Sequence, residues 1–172
     1  MHSSRADFDR FVAGSTDGLL RTAYLIVWDL QEAEDLVQEA LLRVAKRWPR
    51  VRRMEHPIAY ARRILVNLAL DGAARRSRRR EELTGEPPPD RSDNGSESSA
   101  LDRHDQLLGA LAALPPRQRS VLVLRYFLDL PEAEVAAALR CSLGTVKSSA
   151  ARGLTRLEHT LRTTNDTRSM PT

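Results

Sequence analysis

A single cysteine, Cys141, stands in 172 residues, so no disulfide framework can form. The four histidines, His2, His56, His104 and His159, have no close spacing to it or to one another, which excludes the clustered ligands of a zinc site. No apolar run approaches the ~20 residues that span a bilayer. The start, MHSSRADFDRF, lacks the apolar core of a signal peptide. Also missing are an internal repeat, a glycine-rich phosphate loop, paired catalytic carboxylates and a nucleophile with its base. Glu55, His56 and Asp71 are too scattered to replace them. These absences predict a cytoplasmic protein, not an enzyme, with no catalytic residues, no metal, no cofactor and no membrane insertion.

What is present is charge, and its distribution says more than its net value of +4. Residues 1–45 hold 4 basic and 8 acidic side chains, and residues 46–80 hold 12 and 2. Residues 81–102 then hold 1 and 7, and residues 103–172 hold 10 and 6. Alternation on this scale predicts separate surfaces for separate partners, at least one of them polyanionic.

The most informative stretch is PEAEVAAALRCSLGTVKSSAARGLTRL, from Pro131 to Leu157. Val135, Ala138 and Leu139 share a helical face, Ser142 can cap a second helix, and Val146, Ala150, Leu154 and Leu157 recur at helical spacing. Ala136 supplies the small residue needed where two helices touch. That is the pattern of a helix-turn-helix, with Thr145, Lys147, Ser148, Ser149 and Arg152 left for solvent or DNA. An ordinary helical hairpin with a solvated polar face fits the same spacing.

Upstream, Phe8, Phe11 and Val12 begin a short amphipathic helix that Leu19, Ala23 and Val27 continue, and Asp29 to Gln31 allow a turn. Ala33, Leu36, Val37, Ala40, Leu41, Val44 and Ala45 then form one apolar stripe, opposite a polar stripe of Asp35, Gln38, Glu39 and Arg43. In KRWPRVRRMEHP, residues 46–57, two prolines and several basic residues predict a cationic loop. Helical spacing resumes at Ile58 and leaves Tyr60, Arg62, Arg63, Asn67, Arg75 and Arg76 toward the outside. Cations that neutralise phosphate, an aromatic ring that stacks on a base and an amide that bonds its edge suit single-stranded nucleic acid. A solvated helix end is the alternative.

Residues 81–100, EELTGEPPPDRSDNGSESSA, contain too little large apolar surface to fold and read as a linker. About 20 such residues reach at most ~70 Å but relax to ~25 Å. The domains they join are therefore expected to tumble independently. The second domain opens with Leu101, Leu107, Leu108, Leu111 and Leu114, stops at Pro115-Pro116 and restarts with Val121, Leu122 and Leu124. The expected architecture is all-α: two small helical domains, 1–80 and 101–162, joined by a flexible acidic linker, 81–100, and followed by a disordered tail, 163–172. The C-terminal domain is the helix-turn-helix one.

AEDLVQEALLRVAKRW at 33–48, YARRILVNLALDGAARRSRR at 60–79, LPPRQRSVLVLRY at 114–126 and CSLGTVKS at 141–148 together resemble a bacterial RNA polymerase sigma factor of the extracytoplasmic-function group, most similar to its actinobacterial SigE-like members. The resemblance implies that the first domain docks on core polymerase and opens the −10 promoter element, while the second reads the −35 element. Asp35, Gln38 and Glu39, with Arg43 on the same stripe, match the surface for the β′ clamp helices, and the β subunit is implied as a further contact. Trp48, Arg50, Arg52, Arg53 and His56 fall in the segment that captures a flipped −10 base. Tyr60 stands where the family often has tryptophan, Asn67 matches a base-contacting asparagine, and Arg62, Arg63, Arg75 and Arg76 extend the cationic face. Thr145, Lys147, Ser148, Ser149 and Arg152 match the −35 reader. Promoter DNA is thus an implied partner, and an anti-sigma factor is an admitted one. Arg140 departs from the family glycine and Ser149 from a common arginine. The alternative is a free-standing helix-turn-helix repressor or activator.

Overall fold

The computed structural model describes residues 2–84 and 101–168, and these contain helices and turns but no strand. The N-terminal half consists of α1 (His2–Val27), α2 (Leu30–Lys46), the short α3 (Trp48–Val51) and α4 (Pro57–Thr84). A turn at Trp28, whose φ is 58°, reverses the chain after α1. Asp29 then caps α2, its carboxylate accepting from the Glu32 backbone N–H at 2.8 Å. Ala33, Val37, Ala40 and Val44 bury the expected stripe of α2 against α1 and α4. Pro57 opens α4, where a missing N–H breaks no helical bond.

The C-terminal half comprises α5 (Leu101–Ala112), α6 (Pro116–Leu122), a π-helical turn (Val123–Phe127), α7 (Glu132–Leu139) and α8 (Leu143–Arg168). Its last two helices form the helix-turn-helix. The Ser142 hydroxyl accepts from Thr145 N–H at 3.1 Å, Ala136 lies in the contact, and Val146 is fully buried. Between them Arg140 takes a left-handed conformation, φ 50° and ψ 51°, and the Cys141 N–H closes on the Ala136 carbonyl. Because a Cβ is disfavoured there, Arg140→Gly is expected to stabilise the fold by about 1 kcal/mol. Thermal melting checks this, and a rise in Tm of ~2–4 °C is the expected reading.

Several local expectations change. The cationic loop contains the turn of helix α3, started by Pro49 near its N-terminus. Helix α4 continues to Thr84, into the segment assigned to the linker, and residues 85–100 lie outside the described ones. The segment assigned to a tail is helical through Arg168, because α8 continues without a break, and residues 169–172 lie outside the described ones.

The largest difference is that the halves do not stand apart. Helix α4 packs along α7, and α1 and α4 also meet α6, so the buried apolar side chains of both halves form one cluster. Arg119, only 4% exposed, donates to the carbonyls of Ala112 and Leu114 in its own half and to that of Ile26 at the end of α1. A buried guanidinium needs several acceptors, and one of these comes from across the interface. The expectation of independent tumbling is therefore corrected: linker length permits separation, but complementary faces close it.

Candidate nucleic-acid interface

A cavity of about 530 Å³ lies where the two halves meet. The first half contributes Arg47, Arg50, His56, Tyr60, Arg62 and Arg63, all from α3, the turn after it and the first two turns of α4 or the residue before α3. Their approach follows from the chain path: α3 turns the backbone, and Pro57 restarts it as α4 beside the same space. Arg47 Nη1 donates to the Tyr60 hydroxyl at 3.1 Å, and the Arg63 guanidinium lies 5.6 Å from the Tyr60 ring centre. Tyr60 is thus half-buried and held between cations. Burial lowers the Arg62 pKa, opposed by the Glu134 carboxylate, and the guanidinium remains charged at neutral pH.

Not every expected residue joins this site. Trp48 is 7% exposed and packs on Phe8 and Phe11 at ring separations of 5.3 and 5.2 Å, so its assignment to DNA is corrected to the core. Its indole N–H donates to the Ser4 carbonyl at 3.0 Å. Arg52 turns to Asp7 at 3.5 Å, and Arg53 is exposed outside the cavity lining. Arg75 and Arg76 lie on α4 some 15 residues beyond Tyr60, a rise of ~22 Å, and Arg76 pairs with Glu32 at 2.5 Å. Asn67, two turns past Tyr60, donates to the Arg63 carbonyl at 2.6 Å and to the Ala138 carbonyl of α7 at 2.7 Å. Arg47 was legible only as one member of a basic run; the signal that singles it out is its placement opposite Tyr60.

On α2, Asp35 and Gln38 are exposed, and Glu39 accepts from Arg43 at 2.7 Å. Leu42, 57% exposed, lies among them and adds an apolar patch that sequence reasoning missed. Its signal is a leucine at i+3 from Glu39, on the polar stripe.

On α8, Lys147, Ser148 and Arg152 are exposed, and Lys147 Nζ lies 3.8 Å from Glu132. Thr145 is half-buried, its hydroxyl 2.9 Å from that of Ser142. Ser149 is 8% exposed, which corrects its placement on the reading face. The buried stripe is Val146, Ser149 and Gly153, with Leu154 turned outward. Small residues let α8 approach α6 closely: a Cβ on Gly153 would stand 3.1 Å from a methyl of Leu122.

Among the described residues there is no acidic, histidine and cysteine cluster able to hold a metal, and no helix long and apolar enough to cross a membrane.

The family model for sigma-70 region 2 matches residues 16–80, and that for sigma-70, region 4 matches residues 104–157. The RNA polymerase sigma-E factor of Streptomyces avermitilis is 39% identical over 93% of this chain and 88% of its own length. That of Streptomyces coelicolor is 37% identical over 90% and 86%. In fold, the chain is similar to the sigma factor RpoE of Bartonella quintana, solved in complex with the anti-sigma factor NepR, with a TM-score of 0.70, 23% identity and coverage of 91% of this chain and 97% of that one. Identity at this level across nearly the whole of two Streptomyces chains, with the two sigma-70 regions matched in order, places this protein among the SigE-like extracytoplasmic-function sigma factors, which bind core RNA polymerase and direct transcription initiation at promoter DNA.

Proposed function

We propose that the two halves divide promoter recognition, residues 1–80 docking on core polymerase and opening the −10 element, and residues 101–162 reading the −35 element. The observation that carries this reading is the gathering of Arg50, His56, Tyr60, Arg62 and Arg63 around one cavity, with Asn67 two turns further on. Guanidinium groups neutralise phosphates, the Tyr60 ring offers a stacking face for an unpaired base, and Asn67 can bond a base edge. Asp35, Gln38, Glu39 and Arg43, with Leu42, form the polymerase-facing patch. Such a patch joins charge to an apolar centre, as protein interfaces do. The protein works in the cytoplasm, where polymerase and promoter are, and carries no catalytic chemistry of its own. By analogy with the Bartonella quintana complex, an anti-sigma factor is a further partner. A free-standing repressor would leave the patch on α2 and the cationic cavity without a role.

Run-off transcription with core polymerase over a promoter library tests the division. Arg152→Ala is expected to relax preference at one −35 position by ~1–3 kcal/mol, and Lys147→Ala to weaken all sequences alike with a shallower salt dependence. A library profile unchanged by Arg152→Ala would remove it from base reading.

A further inference from the structure

We propose that Arg47 is a positioning residue for opening of the −10 element: it holds the Tyr60 ring in one orientation, through a hydrogen bond that phenylalanine or tryptophan could not accept, so that the ring is set for an unpaired base before one arrives. This role rests on the assignment of Tyr60 to the −10 element. It gives the Tyr60 hydroxyl a function that stacking alone does not need.

Arg47 stands at the junction of two helices, as C-cap of α2 and N-cap of α3. Its N–H donates back to the Val44 carbonyl at 3.0 Å, and its own carbonyl accepts from the N–H groups of Arg50 and Val51 at 2.9 and 3.0 Å. Trp48 and Val51 beside it are buried, so the backbone that carries the guanidinium is fixed on both sides. From that base Nη1 reaches the Tyr60 hydroxyl, in the first turn of α4, at 3.1 Å. One turn further along α4, the Arg63 guanidinium lies over the ring, 5.6 Å from its centre. The ring is restrained at two points, its oxygen by Arg47 and one face by Arg63, and the other face is the one a base can use. Both contacts lie within residues 1–80, the half assigned to the −10 element.

An unrestrained tyrosine samples several side-chain rotamers, and stacking on a base freezes it in one. A ring already held has given up that freedom on folding, so capture of the base costs less. The hydroxyl also separates two roles for Arg47. A guanidinium that only neutralises a phosphate acts through its charge, which is felt over ~8–10 Å whatever stands at position 60. One that works by holding the ring has no function once the oxygen it grips is gone. Phenylalanine keeps the ring and its stacking face and removes only the acceptor, which makes Tyr60→Phe the matched partner of Arg47→Ala.

The test uses the full chain bound to core polymerase, on the strongest promoter recovered by run-off transcription, with 2-aminopurine in the −10 non-template strand to report unstacking. Arg47→Ala and Tyr60→Phe are each expected to slow promoter opening by ~3–10-fold, as loss of one net hydrogen bond does, and the double variant by no more than either alone. Arg50→Ala, from the same cavity lining, should instead multiply with Tyr60→Phe. If Arg47→Ala and Tyr60→Phe multiply, the proposal is overturned and Arg47 is a separate phosphate contact. Non-additivity that Arg50→Ala shares to the same degree overturns it too, because the coupling then does not belong to the pair. Urea unfolding checks that each variant folds, and should Arg47→Ala unfold, Tyr60→Phe decides by itself: opening at the parental rate removes the role of the hydroxyl. Tyr60→Ala shows which reading has failed. Slow opening with Tyr60→Ala beside normal opening with Tyr60→Phe removes the positioning role alone, whereas normal opening in both takes Tyr60 out of the −10 element as well.

Discussion

Asp35→Arg combined with Glu39→Arg is expected to weaken core polymerase binding by ~100-fold or more while the fold melts as before, because like charges set against a complementary surface cost several kcal/mol. The helix that carries both residues has already buried its apolar stripe, Ala33, Val37, Ala40 and Val44, on the other side. Asp35 contributes nothing to that burial. Its contact within the helix is a 3.5 Å approach from the Gln31 amide. Glu39 pairs with Arg43 at 2.7 Å, but both side chains are about half exposed, so the pair stabilises α2 by only a few tenths of a kcal/mol. Its replacement by arginine sets two cations one turn apart and costs about as much again. Circular dichroism and urea unfolding should thus stay within ~0.5 kcal/mol of the parent. Full core affinity in this folded double variant would refute the docking role of α2.

Much of this fold was legible because its signals are local. Ser142 as cap and Val146 as the inward position of the second helix each follow from side-chain chemistry within a few residues, and each stands as expected, while the left-handed backbone at Arg140 falls where the family resemblance places a glycine. The phase of α8 was harder. Val146, Ala150, Leu154 and Leu157 make a plausible apolar stripe, but Ser149 and Gly153 are buried, Gly153 against Leu122 of α6, and Leu154 faces out. Close helix approach selects for small residues rather than apolar ones, and hydrophobic spacing alone does not register that. The docking of the two halves left still less trace. Its acceptors are backbone carbonyls, those of Ala138 and Ile26, and a carbonyl is present at every residue of every sequence. The donors, Asn67 and Arg119, have side chains equally suited to a base edge or a phosphate. Sequence chemistry identifies what such groups can bond, and only the tertiary path decides which partner they find.

Trp48 shows the same ambiguity with a larger energetic consequence. The family resemblance sets Trp48 in the segment that captures a flipped −10 base, yet here its ring meets Phe8 edge-on at 68° and Phe11 at 41°, and its N–H is taken by the Ser4 carbonyl. The residue joins the start of α1 to the turn that carries Arg50. Trp48→Ala is therefore expected to destabilise the protein by ~3–5 kcal/mol, through lost burial and the void left between the two phenylalanines. Against a typical total of 5–15 kcal/mol that is a large fraction, so the variant should be partly unfolded near physiological temperature. Trp48→Phe keeps most of the apolar volume and loses the hydrogen bond, and the expected loss is ~1–2 kcal/mol. Urea unfolding gives both values. The decisive comparison is with Arg53→Ala, an exposed change that should leave unfolding unaltered and reduce the salt dependence of single-stranded DNA binding in the polymerase-bound state. If Trp48→Phe instead keeps full stability and loses DNA affinity, the ring must leave its pocket to meet a base, and its place in the core is wrong for the working state. If stability falls and the folded fraction binds DNA normally, Trp48 is the post on which the cationic turn is built, and the contacts with DNA belong to the residues around it.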